Sequence, residues 1–215
     1  MTSELRRPKK GDNPFFTKSK DYYTKTWVNI AWFRSFPKIN TQSHIADAFK
    51  ESGDIIINDL KINKYHSHPD KYFFPIAYLY RHAIELKLKC LIKIGIDLGL
   101  LTKDNRIIDS LKKHELYKLW NYAKEAIVKF WPDGTKSDLQ IVESIIQQLH
   151  NIDPSGQNLR YIKNISGENT LEKMPDSIEL LTFQEVIDGL YNFLKDCQFG
   201  FEAEEEARAN WDNMY

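Results

Sequence analysis

The sequence predicts an all-α protein, a helical bundle of about five helices. Three observations carry that expectation. Apolar residues recur at intervals of three and four along several long segments, the period of a helix with one buried face. Proline, glycine and Ser/Thr stand where such segments begin and end, as at Pro75, Gly95, Pro132 and Thr182. Almost nowhere does the chain alternate apolar and polar as a half-buried strand would, while 42% apolar and 13% aromatic residues suffice for a sizeable core.

Taken in order, residues 1–20 carry Arg6, Arg7, Lys9, Lys10, Lys18 and Lys20 against Glu4 and Asp12, with Pro8, Gly11 and Pro14 between them, and read as a mobile basic arm. Such an arm is either a solvated tail or a nucleic-acid contact. An aromatic stretch follows, from Tyr22 to Phe36, ending at Pro37. From Thr41 to about Lys61, Ile45, Ala48, Phe49, Ile56 and Leu60 keep close to helical spacing, and Thr41 or Ser43 can cap the start. Pro75 is expected to open the most apolar helix, running to Ile94 with Gly95 just past its end. A third helix is expected from about Lys112 to Trp131, stopped by Pro132, and a fourth from about Ser137 to His150. Turn chemistry at Asp153-Pro154-Ser155-Gly156 precedes a short, extended-looking Leu159–Ile165. Thr182-Phe183-Gln184-Glu185 reads as a capping box starting the last helix, which is expected to fray near Glu202–Glu206 into an acidic tail, 202–215. The whole is expected to form one domain, 1–215.

Thirty Lys and Arg balance thirty Asp and Glu, which excludes a globally basic nucleic-acid coat protein but not a local basic site. Cys90 and Cys197 are too few for a disulfide scaffold or a cysteine zinc site. The polar, basic start does not resemble a signal peptide, and no apolar run approaches a membrane span, so the expected location is cytoplasmic with no membrane partner. No glycine-rich phosphate loop and no Gly-x-Ser-x-Gly elbow occur, and no cofactor is expected. His66, His68 and Asp70 can be drawn as metal ligands, but that spacing is common in loops and no metal is expected there.

Chemistry concentrates on the helix from Ile76 to Leu91. Tyr78, Arg81, His82, Glu85 and Lys89 project onto one stripe about 100° wide on an otherwise apolar helix. Polar groups on a central helix are costly unless paired or turned to a cleft. As structure, Arg81 and Glu85 satisfy each other at i,i+4. As a site, they are titratable groups in apolar surroundings, where pKa values are shifted and used. His114, near a helix N-terminus, and Arg160 with Tyr161, after the Asp153–Gly156 turn, can complete a cationic pocket for a phosphodiester or nucleotide. Arg81, His82, Glu85 and His114 are then the catalytic candidates, and Tyr78, Lys89, Arg160 and Tyr161 the ligand-binding ones. Arg81, Glu85, His114 and Arg160 are expected to converge on one cleft.

The strings Phe74-Pro75, Arg81-His82-Ala83-Ile84-Glu85-Leu86-Lys87-Leu88-Lys89, His114-x-Leu-x-x-Leu-Trp120 and Asp153-Pro154-Ser155 with Leu159-Arg160-Tyr161 together resemble bacterial HEPN-like helical proteins. The resemblance covers about residues 70–195. It implies a helical bundle, often a homodimer, of a kind found as RNases or nucleotide-binding modules in toxin–antitoxin, phage-defence and stress systems, some with an antitoxin or other partner protein. The ribonuclease branch of that superfamily carries Arg, four to six residues, then His. Here Arg106 and His114 have seven residues between them and Arg81 adjoins His82, so the motif does not carry the activity over. The leading functional expectation is an RNA- or nucleotide-directed pocket, and as an enzyme a metal-independent endoribonuclease lacking that motif. The alternatives are a non-catalytic interaction or dimerisation module and a sensor of a nucleotide signal.

Overall fold

In the computed structural model the chain divides into two compact units, Met1–Ile39 and Asn40–Tyr215. The residues described are 41–62, 69–134, 136–161, 163, 167, 169–170 and 174–212. The basic arm, the aromatic stretch, His66 and His68 lie outside them. Six helices are described: α1 (Thr41–Ile62), α2 (Pro69–Asp97), α3 (Asn105–Leu111), α4 (Leu116–Phe130), α5 (Lys136–Ile152) and α6 (Leu180–Asp212). The only extended pairing among the described residues is an isolated bridge between Lys163 and Asn169. The second unit is a helical bundle, as the periodicity predicts.

The central helix is α2, which packs against α1, α4 and α6. It is buried almost continuously from Ile76 to Gly95 because its neighbours leave little of its circumference open. Its fully buried Ile76, Ile84, Leu88, Leu91 and Ile92 meet Leu116, Leu119 and Trp120 of α4 and Ile187, Leu190 and Leu194 of α6 in one apolar cluster. Each such side chain contributes about 1.5–3 kcal/mol. α5 lies outside α4, joined to it by Val142 and Ile146 and by Glu143, which accepts from Tyr117 Oη at 3.0 Å and pairs with Lys124.

Lys87, also wholly buried, ties three helices together. Its Nζ donates to Ser43 Oγ of α1 at 2.6 Å and to Gln198 Oε1 of α6 at 3.1 Å, and lies 3.1 Å from Asp47 Oδ1. Tyr191 Oη of α6 donates to the same Asp47 oxygen at 2.8 Å. A lysine on an apolar face survives burial only with this many acceptors.

Several expected boundaries move, each for a local reason. Pro69, not Pro75, occupies the first turn of α2, and Pro75 lies inside the helix with its ring exposed. Gly95 is also inside, where a Cβ would come within 3.0 Å of Ala126; the left-handed residue closing α2 is Gly99, at φ 73°. The third expected helix, from about Lys112, begins only at Leu116 as α4, and a short helix not expected from the sequence, α3, precedes it, started by Asp104 accepting from the Ile107 amide at 2.8 Å. Residues 158–160 form a turn rather than an extended segment. The capping box at Thr182 is not the start of α6, because the Glu179 carboxylate accepts from the Leu181 and Thr182 amides at 3.1 and 2.5 Å. The acidic end of α6 stays helical to Asp212, where Arg208 pairs with Glu204 at 2.8 Å and reaches the Leu98 carbonyl at 3.0 Å.

The α1–α2 contact is close enough to test. A Cβ on Gly53 would stand 2.4 Å from Cε1 of the buried Tyr80, whose hydroxyl donates to Asp54 at 2.7 Å. Gly53→Ala gains about 1 kcal/mol of helix propensity but must displace that ring. The expected net result is a loss of about 1–3 kcal/mol in urea unfolding; an unchanged midpoint would show that the contact yields freely.

Candidate functional site

Arg81, Glu85 and Lys89 follow one another at intervals of four, so α2 stacks them on one face. Its apolar flanks draw that face into the bundle, leaving Arg81 2% and Glu85 1% exposed. Arg81 Nη1 donates to Glu85 Oε2 at 3.0 Å, and Lys89 Nζ to Glu85 Oε1 at 2.8 Å. His114, in the α3–α4 link, places Nδ1 2.8 Å from the same Oε1. The rest of the guanidinium is also engaged. Nη2 donates to the His114 carbonyl at 2.5 Å, and Nε and Nη2 reach the Asp153 carbonyl at 3.3 and 3.2 Å. Asp153 Oδ2 stands 3.0 Å from Nε.

Asp153 ends α5 and organises the turn after it. Its Oδ1 accepts from the Asn158 amide at 2.9 Å, and Asn158 Nδ2 donates to the Ile152 carbonyl at 2.7 Å. Gly156 then passes over the network at φ 76°, so close that a Cβ would lie 3.1 Å from His114 Cβ and 3.2 Å from Arg81 Nη1. Only glycine meets both demands without strain. The Gly156 carbonyl in turn accepts from Arg160 Nε at 2.9 Å, which sets Arg160 over the ring of Tyr78 at 5.6 Å and equally near Tyr161. Tyr78 stacks on His82 at 5.8 Å and 6°, and His82 meets Phe49 edge-on at 4.5 Å.

The charges are mutually stabilised. Burial alone would raise the Glu85 pKa, but the Lys89 hydrogen bond and charge, the His114 bond and the Arg81 charge outweigh it and hold the carboxyl below its usual range. Burial pushes the His82 imidazole below its ordinary value, opposed by Glu85 and reinforced by Arg81, His114 and Lys89, so it is neutral at pH 7. His150, stacked on Tyr117 at 6.1 Å, is likewise lowered by burial and then by Arg81.

Every sequence-derived candidate therefore lies in this one neighbourhood. Arg81, Glu85, Lys89 and His114 are in direct contact; Gly156 joins Arg160 to them; Tyr78, His82 and Tyr161 attach through Arg160. Arg81, Glu85 and Lys89 form a buried ion network beneath a rim of His114, whose side chain is 52% exposed, with Arg160 and Tyr161. A groove of about 360 Å³ lies elsewhere, between Phe73 and Phe74 of α2 and the Pro175–Leu180 segment. Sequence reasoning placed Asp153 only in a turn and passed over His150. The helix-ending position of Asp153 before Pro154 was visible, but nothing local marks it as the counter-charge of a residue 72 positions away. Asp70, drawn with His66 and His68 as a ligand set, is exposed in the first turn of α2. Among the described residues no group of three or more His, Cys, Asp or Glu is placed to hold a metal ion, and no helix is long and apolar enough to cross a membrane. Comparisons with protein-family models, curated proteins and solved structures find no match to this chain.

Removing the shared carboxylate leaves Lys89 without its counter-charge and Arg81 with Asp153 alone, so Glu85→Gln is expected to cost about 3–5 kcal/mol at neutral pH. Because the folded-state pKa of Glu85 is depressed, its contribution is complete above the unfolded carboxylate pKa and disappears as pH falls through the folded value. The stability gap between wild type and variant, measured by urea unfolding, should therefore narrow on acidification below about pH 4. A gap that stays constant there would remove Glu85 as the ionised hub.

Proposed function

We propose that this protein acts on RNA or a nucleotide at the rim formed by His114, Arg160, Tyr78 and Tyr161, and that its chemistry is metal-independent phosphodiester cleavage. The observation that carries the proposal is the His114–Glu85 dyad. A carboxylate 2.8 Å from Nδ1 orients the imidazole and selects the tautomer in which Nε2 is the basic nitrogen, while half the side chain remains exposed to solvent. Arg160, with only Nε bonded within the protein among the described hydrogen bonds, supplies a cation beside it for phosphate. His114 then takes the ribose 2′-OH proton as O2′ attacks phosphorus. The P–O5′ bond breaks, leaving a 2′,3′-cyclic phosphate and a 5′-oxygen that solvent protonates.

In this reading Arg81 and Lys89 are positioning residues, since their donors meet protein acceptors, and His82 supports the stack beneath Arg160. The resemblance to HEPN-like proteins supports the reading through the nucleic-acid and nucleotide chemistry common there, and it alone supports the homodimer, an antitoxin-type partner and a place in phage defence, while a cytoplasmic location rests on the polar, basic start and the lack of a membrane-length apolar run. One observation favours the non-catalytic alternative, an interaction or nucleotide-sensing module. The network from Arg81 through Glu85 to Lys89 is fully satisfied as it stands, as a purely structural one would be.

Incubating the pure protein with single-stranded RNA, with and without EDTA, separates the two. The expected result is EDTA-resistant cleavage, reduced about 10²–10⁴-fold in His114→Asn and weakened in affinity by Arg160→Ala, with both variants melting close to wild type because the asparagine amide can replace Nδ1 as a donor to Glu85 and Arg160 lies on the exposed rim. Binding without cleavage would establish the module instead, and neither binding nor cleavage would end the proposal.

A further inference from the structure

Resting on that reading and deepening it, we infer that the rim holds a stacking subsite for an unpaired nucleobase: the base lies on the exposed ring of Tyr161, and its adjoining phosphate meets Arg160. The geometry is a column of π faces rising out of the bundle. Phe49 meets His82 edge-on at 4.5 Å, His82 lies parallel to Tyr78 at 5.8 Å, and the Arg160 guanidinium sits 5.6 Å from the centroids of both Tyr78 and Tyr161. At the inner end the column is fixed by α1 and α2. At the outer end Tyr161 is 59% exposed.

The outer end is held in place as well. The Arg160 and Tyr161 amides donate to the Gln157 carbonyl at 3.0 and 3.1 Å, and the buried Thr170 hydroxyl donates to the Tyr161 carbonyl at 2.9 Å. Arg160 Nε is bonded to Gly156, which packs on His114 and Arg81. A large apolar ring kept in water on a pinned backbone gains from being covered, and a ring beside a guanidinium is suited to a flat π system that carries an anion. A nucleotide has both parts. A paired helix hides its base faces in its own stack, so the subsite selects unpaired bases. His82 is neutral at pH 7, so Arg160 is the charged member of the column. Through Gly156 the subsite is built onto the same turn that contacts His114, which places a bound phosphate next to the dyad.

Fluorescence anisotropy of the full chain tests this with a 2′-O-methylated single-stranded RNA, which cannot be cleaved by 2′-OH attack, the same strand annealed to its complement, and free adenosine and uridine monophosphates as competitors. The single strand is expected to bind at least about tenfold more tightly than the duplex. Tyr161→Ala is expected to weaken single-strand binding about five- to hundredfold, with Tyr161→Phe near wild type. Competition by a monophosphate as effective as by the strand would identify a free nucleotide as the occupant; displacement by the strand alone would identify the strand. Equal affinity for duplex and single strand, or a Tyr161→Ala variant that binds like wild type, would overturn the stacking subsite while leaving an RNA-directed rim. If strand, duplex and monophosphate all fail to bind wild type, both the subsite and the proposed function fall.

Discussion

Glu85 is the group on which the arrangement depends. A carboxylate 1% exposed in the middle of the central helix is tenable only because Arg81, Lys89 and His114 all bond to it. Those three obligations then organise their surroundings. Arg81, already committed through Nη1, has Nε and Nη2 left, and these find the carbonyls of His114 and Asp153 in two separate links. The α3–α4 link and the turn after α5 are thus both fastened to α2 by one guanidinium. Satisfying a buried charge has positioned the exposed groups.

That coupling explains why the same residues serve both stability and the rim. His114 gives its carbonyl to Arg81 and its Nδ1 to Glu85, and still leaves half its side chain in water. Gly156 lies against the network because no side chain intervenes, and its carbonyl fixes Arg160. A rigid floor under exposed polar groups is the condition for preorganised binding, since rotamer freedom is removed before a ligand arrives. Lys87 does similar work on the opposite flank, joining α1 and α6 to α2, but its acceptors Ser43, Asp47 and Gln198 leave it only 1% exposed. It reads as a structural clamp with no exposed rim attached.

Legibility followed the range of the interaction. The i,i+4 relation of Arg81 to Glu85 and of Glu85 to Lys89 is a property of any helix, so their pairing could be read directly. His114 and Arg160 were recognisable as polar motifs needing partners, although not which partners each would find. Boundaries failed where two residues offered the same signal. Pro69 and Pro75 both suit a helix start, and Gly95 and Gly99 both suit its end; packing on Ala126 decided that Gly95 stays helical. The capping box at Thr182 does not start the helix because the Glu179 carboxylate, three residues earlier, already takes the Leu181 and Thr182 amides and starts it sooner.

The sequence by itself determined the helical class, the central place of the Ile76–Leu91 segment and the polar stripe on it, because hydrophobic period and i,i+4 proximity are local consequences of helix geometry. It did not determine that Asp153 balances Arg81, that Gly156 roofs the pair, or that Arg160 stands between Tyr78 and Tyr161. Those contacts join Arg81 to Asp153 across 72 positions of the chain and Tyr78 to Arg160 across 82. Such partnerships depend on which faces of α2, α4 and α5 meet in the packed bundle, and a chain's local preferences carry no information about that until the core has closed around them.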